Sequence, residues 1–80
     1  MSVTEDLADA LARDVLEAVE KLGDDTLIEE IAKTLGTSSS VTQDAFMTAI
    51  RVRTAEARAR KLLRTKLEKA LAAREPASQQ

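Results

Sequence analysis

The side chains of this sequence that could move a proton at neutral pH are its carboxylates. Fourteen Asp and Glu residues stand among 80, with no histidine and no cysteine. That composition excludes imidazole bases, thiolate nucleophiles, disulfides and the usual zinc sites. The closest groupings are Asp24-Asp25 and Glu29-Glu30, but adjacent residues on a helix do not face each other as paired acid-base groups must. Asp24 and Asp25 are better read as caps at a helix start, with Glu29 and Glu30 in its solvated first turn. The two glycines stand alone, so no phosphate loop is present, and the acidic residues lack the spacing and central glycine of a calcium loop. We expect no enzymatic activity and assign no catalytic, cofactor-binding or metal-ligating residue and no small-molecule substrate.

Recognition of an anion is the other chemistry on offer. Arg51, Arg53, Arg58, Arg60, Lys61 and Arg64 could lie along a phosphate backbone or an acidic protein surface. Of these, Arg53, Arg60, Lys61 and Arg64 cluster on one side of a helix and form the candidate surface for an anionic partner. The net charge of -2 conceals a division: residues 1–50 hold eleven acidic and three basic side chains (-8), and residues 51–80 hold three acidic and nine basic (+6). Turned outward, this is an acidic body with a basic arm that seeks an anionic partner. Turned inward, the two halves attract each other within one chain or across a dimer, and this is the reading we favour. Phe46 is the lone aromatic, whereas base-stacking surfaces use several. No apolar run approaches a membrane span, the first residues lack a signal-peptide pattern, and the basic helix carries Ala where membrane-surface helices carry bulk. The expectation is a soluble, cytoplasmic protein without a membrane partner.

These side chains are positioned by one long helix, expected over residues 41–75. Ser40 and Gln43 form a capping-box pattern at its start, Pro76 marks its end, and no Gly or Pro intervenes. Such a helix would be roughly 50 Å long, against a radius of gyration of about 12 Å for a compact chain of this size. It must therefore bend, project, or lie against a second chain. Ala45, Phe46, Met47, Ala49, Ile50 and Val52 belong to a core. Ala45, Ala49, Val52, Ala55 and Ala59 trace a narrow stripe of small residues that continues through Leu62, Leu63, Leu67 and Ala70. The leucines, with Leu71, lie too far along a straight helix to reach a core near Phe46. We take Val52, Ala55, Ala59, Leu62, Leu63, Leu67 and Leu71 as the candidate oligomer interface, to be covered by a partner helix.

Two shorter helices precede it. Leu7, Leu11, Val15, Val19 and Leu22 recur at three- and four-residue steps over residues 4–22, after a capping box of Ser2 and Glu5 and before a left-handed cap at Gly23. Leu27, Ile28, Ile31, Ala32 and Leu35 stripe a second helix over residues 26–35, with Thr26 and Glu29 at capping-box spacing and Gly36 closing it. Residues 77–80 carry no structural signal and are expected to be a disordered tail on a single domain, residues 1–76.

The segment Ile31-Ala32-Lys33-Thr34-Leu35-Gly36-Thr37-Ser38-Ser39-Ser40-Val41-Thr42 resembles the helix-turn-helix of DNA-binding repressors in its Ile-Ala, its Gly four residues later and its Ser after the turn. The resemblance implies a DNA-binding transcriptional regulator that uses residues 27–50 together with the basic helix, its second helix entering the major groove. Thr42 stands where that family buries an aliphatic, and Asp44 would repel phosphate. Two helices joined by Gly36 and a serine-rich cap explain the same residues. We therefore expect an all-α fold of three helices, two short ones packed on the start of a long C-terminal helix, in a dimeric helical bundle. Its expected role is that of a small, non-enzymatic interaction or regulatory protein that pairs with itself and with another protein, and its Ala- and Arg-rich usage suggests a GC-rich bacterial genome. The DNA-binding regulator is the alternative.

Overall fold

Every helix boundary but the last is set by a short polar residue or a glycine. The computed structural model describes the backbone of residues 2–78 and the side chains as far as Arg74, in three helices: α1 (Val3–Leu22), α2 (Thr26–Ser38) and α3 (Ser40–Ser78). Ser2 is extended, and its Oγ accepts the Glu5 amide at 3.1 Å while donating to the Glu5 carboxylate at 3.0 Å. Two of the amides left unpaired at a helix start are thus organised by one hydroxyl and the carbonyl of Ser2, which accepts Asp6 N–H at 3.0 Å. At the other end Gly23 adopts φ 68° and ψ 27°, and its amide donates to the Val19 carbonyl at 2.7 Å. Only glycine takes that conformation without strain.

The start of α2 is capped from two residues upstream. Asp24 Oδ1 accepts both the amide and the hydroxyl of Thr26, at 3.0 and 2.6 Å, while Asp25 makes no capping bond. The end of α2 differs from the expectation. Gly36 does not close it, because the helix runs on to Ser38, and the extended residue Ser39 alone joins α2 to α3. The glycine is there for space. A Cβ on Gly36 would sit 2.7 Å from Gln43 Nε2, and that nitrogen donates across the hairpin to the Ala32 carbonyl at 2.9 Å. Gln43 therefore does not complete a capping box with Ser40. Ser39 is the cap: its Oγ accepts the Thr42 amide at 3.1 Å and its carbonyl accepts the Gln43 amide at 3.0 Å. Pro76 does not end α3 either, since the helix continues to Ser78. A proline removes one backbone bond, here that to the carbonyl of Ala72, and so close to a helix end it interrupts little beyond itself. Of the expected tail, Gln79 and Gln80 lie outside the described residues.

The core is assembled on the first third of α3. Phe46 is wholly buried, surrounded by Ala8, Ala12 and Val15 of α1, Ala32 of α2 and Ile50, with Leu11, Leu16, Val19, Leu27, Ile28, Ile31 and Leu35 packed around them. On α1 the middle of the expected row, Leu11, Val15 and Val19, packs on this core while its two ends do not. Leu7 and Leu22 are exposed, and Ala8 and Ala12 face inward, because small side chains let the helix axes close around the phenylalanine ring. Gln43 meets Ala32 while Met47 lies beside Thr26, so α2 runs counter to α3. Glu5 and Asp6 lie beside Ala45, and Glu20 beside Ala57, so α1 runs with α3.

Past Ile50 the inward line of α3 changes chemistry. Steps of three and four residues from Phe46 lead to Ile50, Arg53, Ala57, Arg60 and Arg64. The core ends at Arg53, and the remainder of α3 leaves the bundle. The radius of gyration is 18.3 Å and the longest dimension 64 Å, close to the roughly 58 Å of a straight helix of this length. The helix thus does not bend back on its own core but projects from it.

Two expectations follow for stability. Phe46→Ala should lose about 3 to 5 kcal/mol in urea unfolding, enough to unfold most of a domain this small. Gly36→Ala should raise stability by about 1 kcal/mol when introduced into a Gln43→Ala background, through helix propensity, and by clearly less in the parent, where the new methyl group displaces the Gln43 amide. Equal gains in both backgrounds would contradict the packing role of Gly36.

Candidate interaction surface

The residues proposed as an oligomer interface all lie in the open. Val52 is 61% exposed, Leu63 55% and Leu67 53%, and Leu62, Leu71, Ala55 and Ala59 are exposed as well. The helix that carries them is continuous, so their angular positions follow from about 100° per residue. Val52, Ala59 and Leu63 share one line, with Leu67 beside it and Ala55 on the flank. Leu62 points about 100° away from Leu63, and Leu71 faces nearly opposite to Leu62. One partner helix can cover Val52, Ala59, Leu63 and Leu67 together, but not the whole set.

The basic residues divide into engaged and unengaged groups. Arg53 makes a two-pronged contact with Asp9 of α1, Nε to Oδ1 at 2.7 Å and Nη2 to Oδ2 at 2.8 Å. It therefore fastens α1 to α3 at the edge of the core and is less a surface for another molecule. Arg60 pairs with Glu56 one turn earlier on its own helix. Lys61 and Arg64 are exposed and make no ion pair among the described residues, nor does Arg58. The remaining ion pair, Arg13 with Asp14, lies within α1. Between the acidic and basic halves only Asp9 and Arg53 are joined among the described residues.

That contact was not legible from local spacing, since the partners stand 44 positions apart. The Arg60 pair was, at i and i+4. Beside the Asp9–Arg53 bridge runs an open groove between α1 and α3, lined by Leu16, Glu17, Glu20, Val52 and Glu56 among others. Glu17 and Glu20 have no ion pair among the described residues. The charge division pointed to attraction between the two halves, but which acids face the basic helix follows only from the parallel packing of α1 on α3.

The segment that resembles a helix-turn-helix is built differently from that motif. A single residue joins α2 to α3, where the motif has a turn of three to four residues. At the start of the second helix, where the resemblance implies contact with DNA, Ser39 is occupied by the Thr42 amide and hydroxyl and Gln43 by the Ala32 carbonyl. The first turn of α3 carries no basic residue, and Asp44 is exposed. Among the described residues no helix is long and apolar enough to cross a membrane. In comparisons with protein families, curated proteins and solved structures, the chain matches none.

Hydrogen bonding from Arg53 holds the Asp9 carboxyl below its usual pKa of 3.8, reinforced by the charges of Arg53 and Arg13 and opposed by desolvation. The same bond raises Arg53. A carboxyl whose pKa is lowered on folding stabilises the fold above its unfolded value and loses that contribution as pH falls through the folded value. Asp9→Asn should therefore lower the urea midpoint at neutral pH. The gap between variant and parent should stay open down to the usual carboxylate range and close below pH 3.8. A gap that is the same at neutral pH and in strong acid would remove the bridge from the account of stability.

Proposed function

We propose that this is a non-enzymatic interaction protein that self-associates through α3 and, so assembled, presents helical surface to a protein partner, as a small cytoplasmic regulatory module. The observation that carries the reading is the exposed line of Val52, Ala59, Leu63 and Leu67 on a helix that outruns its own core. Burying the exposed half of Leu63 and Leu67 from two copies is worth about 3 to 6 kcal/mol, half of the roughly 1.5 to 3 kcal/mol for a fully exposed leucine. Losing the freedom of two separate molecules costs about 4 to 15 kcal/mol. The two are of one order, so association depends on concentration and suits a regulator that assembles and comes apart. A DNA-binding regulator has less support, since the side chains it needs at the hairpin are tied into the fold.

Sedimentation equilibrium over a hundredfold concentration range tests this directly. The expected result is a mass that climbs from the 8.7 kDa of one chain to twice that value. Combining Leu63→Ser with Leu67→Ser should hold the chain at the monomer mass while circular dichroism still reports the helical core. A parent chain that is monomeric throughout overturns the reading. Retarded migration of random duplex DNA at physiological salt, lost on Lys61→Glu with Arg64→Glu, would replace it with the DNA-binding alternative.

A further inference from the structure

We infer that two copies pair with their α3 helices antiparallel, the basic projecting part of each α3 lying along the acidic groove between α1 and α3 of the other. The inference rests on self-association through α3 and specifies its geometry and its docking surface. A two-fold pair brings the same patch from both copies together, and α3 allows two such arrangements. With the helices parallel, each residue of the arm meets its own copy, and residues 61–74, with five basic side chains and one acidic, oppose an identical charge beyond the acids of α1 that line the groove. With the helices antiparallel about a dyad near Arg60, Leu67 of one copy stands level with Arg53 and Val52 of the other, and the arm passes over the groove.

The groove offers what the arm lacks. Leu16 is half-buried in its wall and Val52 is exposed at its edge, giving an apolar seat for Leu63 and Leu67. Glu17 and Glu20 stand on the α1 side without a cation, and Arg58, Lys61, Arg64 and Lys66 on the arm are without an anion, among the described residues. Each copy supplies one arm and one groove, so the contact occurs twice and closes. The large opposite charges of the two halves, joined within the chain only through Asp9 and Arg53 among the described residues, find their counterparts between chains. Salt should loosen the dimer without abolishing it, since screening acts on exposed charges and leaves the leucine contact intact.

Charge reversal separates the arrangements. Glu17→Lys with Glu20→Lys changes only the groove, and Arg64→Glu with Lys66→Glu changes only the arm. Each variant alone should dimerise about tenfold or more weakly than the parent, because like charges then meet twice. An equimolar mixture of the two should recover affinity, since the reversed groove meets the reversed arm and the parental groove meets the parental arm. Circular dichroism of each variant should match the parent, as the four sites are exposed. If the groove variant dimerises as tightly as the parent, or the mixture fails to recover, the antiparallel seat is wrong. Because the chain has no cysteine, Ala73→Cys gives a second reading. Slow or absent disulfide formation between copies is expected, and rapid formation would show parallel arms. A dimer broken by the Leu63 and Leu67 substitutions but untouched by charge reversal would leave self-association standing and this geometry overturned. A monomeric parent would overturn both.

Discussion

Everything in this fold depends on one aromatic ring being enclosed by very few atoms. Among the described residues Phe46 is the only large side chain taken completely out of solvent, and the chain has no other aromatic to share the task. Enclosing it requires close approach of three helices, and this is why the inner faces of α1 and α2 carry Ala8, Ala12 and Ala32 at the contact. The same demand reaches the hairpin. Gly36 leaves space for Gln43, and Gln43 closes the gap by bonding the Ala32 carbonyl. A small core of this kind cannot tolerate a helix that rolls, because rolling α1 would bring the larger Leu7 towards the ring in place of Ala8. The Asp9–Arg53 bridge stands at the position where such rolling would first be felt, at the boundary between the core face of α3 and its solvated continuation.

The sequence showed the elements more clearly than the face each one buries. Helix starts at Ser2 and near Thr26, and the left-handed stop at Gly23, follow from residue chemistry that acts within a few positions, and they appear where that chemistry puts them. Gly36 and Gln43 were misread for the same reason. Their local patterns, a terminal glycine and a capping box, are imitated by residues that serve a contact eleven positions apart. The row of α1 held at Leu11, Val15 and Val19 and failed at Leu7 and Leu22, because hydrophobic periodicity reports which face is apolar, not which part of it a small core selects. Here the alanines beside the row were selected.

On α3 the continuity of the helix was readable from the absence of breakers, and so were the exposed leucines. Their division between two faces needs only the angle per residue, and the expectation of a single stripe through Leu62, Leu63, Leu67 and Leu71 overlooked it. What could not be read was the orientation of α1 along α3. That orientation decides which acids oppose which bases, and it depends on a turn, residues 23–25, whose direction no periodicity encodes. The acidic groove beside Val52 is therefore a property of the tertiary structure alone.

The projecting part of α3 places the chain between two regimes of helix stability. Beyond Ala57 roughly 20 residues have no other helix of the chain over them, and an isolated segment of that length is marginal even with good helix formers. Ala, Leu, Arg, Lys and Glu supply propensity, and the Glu56–Arg60 pair spans the turn at which the helix leaves the bundle. The core adds an anchored first half, so the costly nucleation step is already met and the arm extends an existing helix. This explains how a chain with so small a core can hold an apolar line clear of its own body. It also locates the instability: the arm frays from its far end, and any contact that covers Leu63 and Leu67 stabilises the helix as it binds. Association and ordering of the arm are in this way one equilibrium, and the affinity of the surface is set partly by how much helix the arm retains when it is alone.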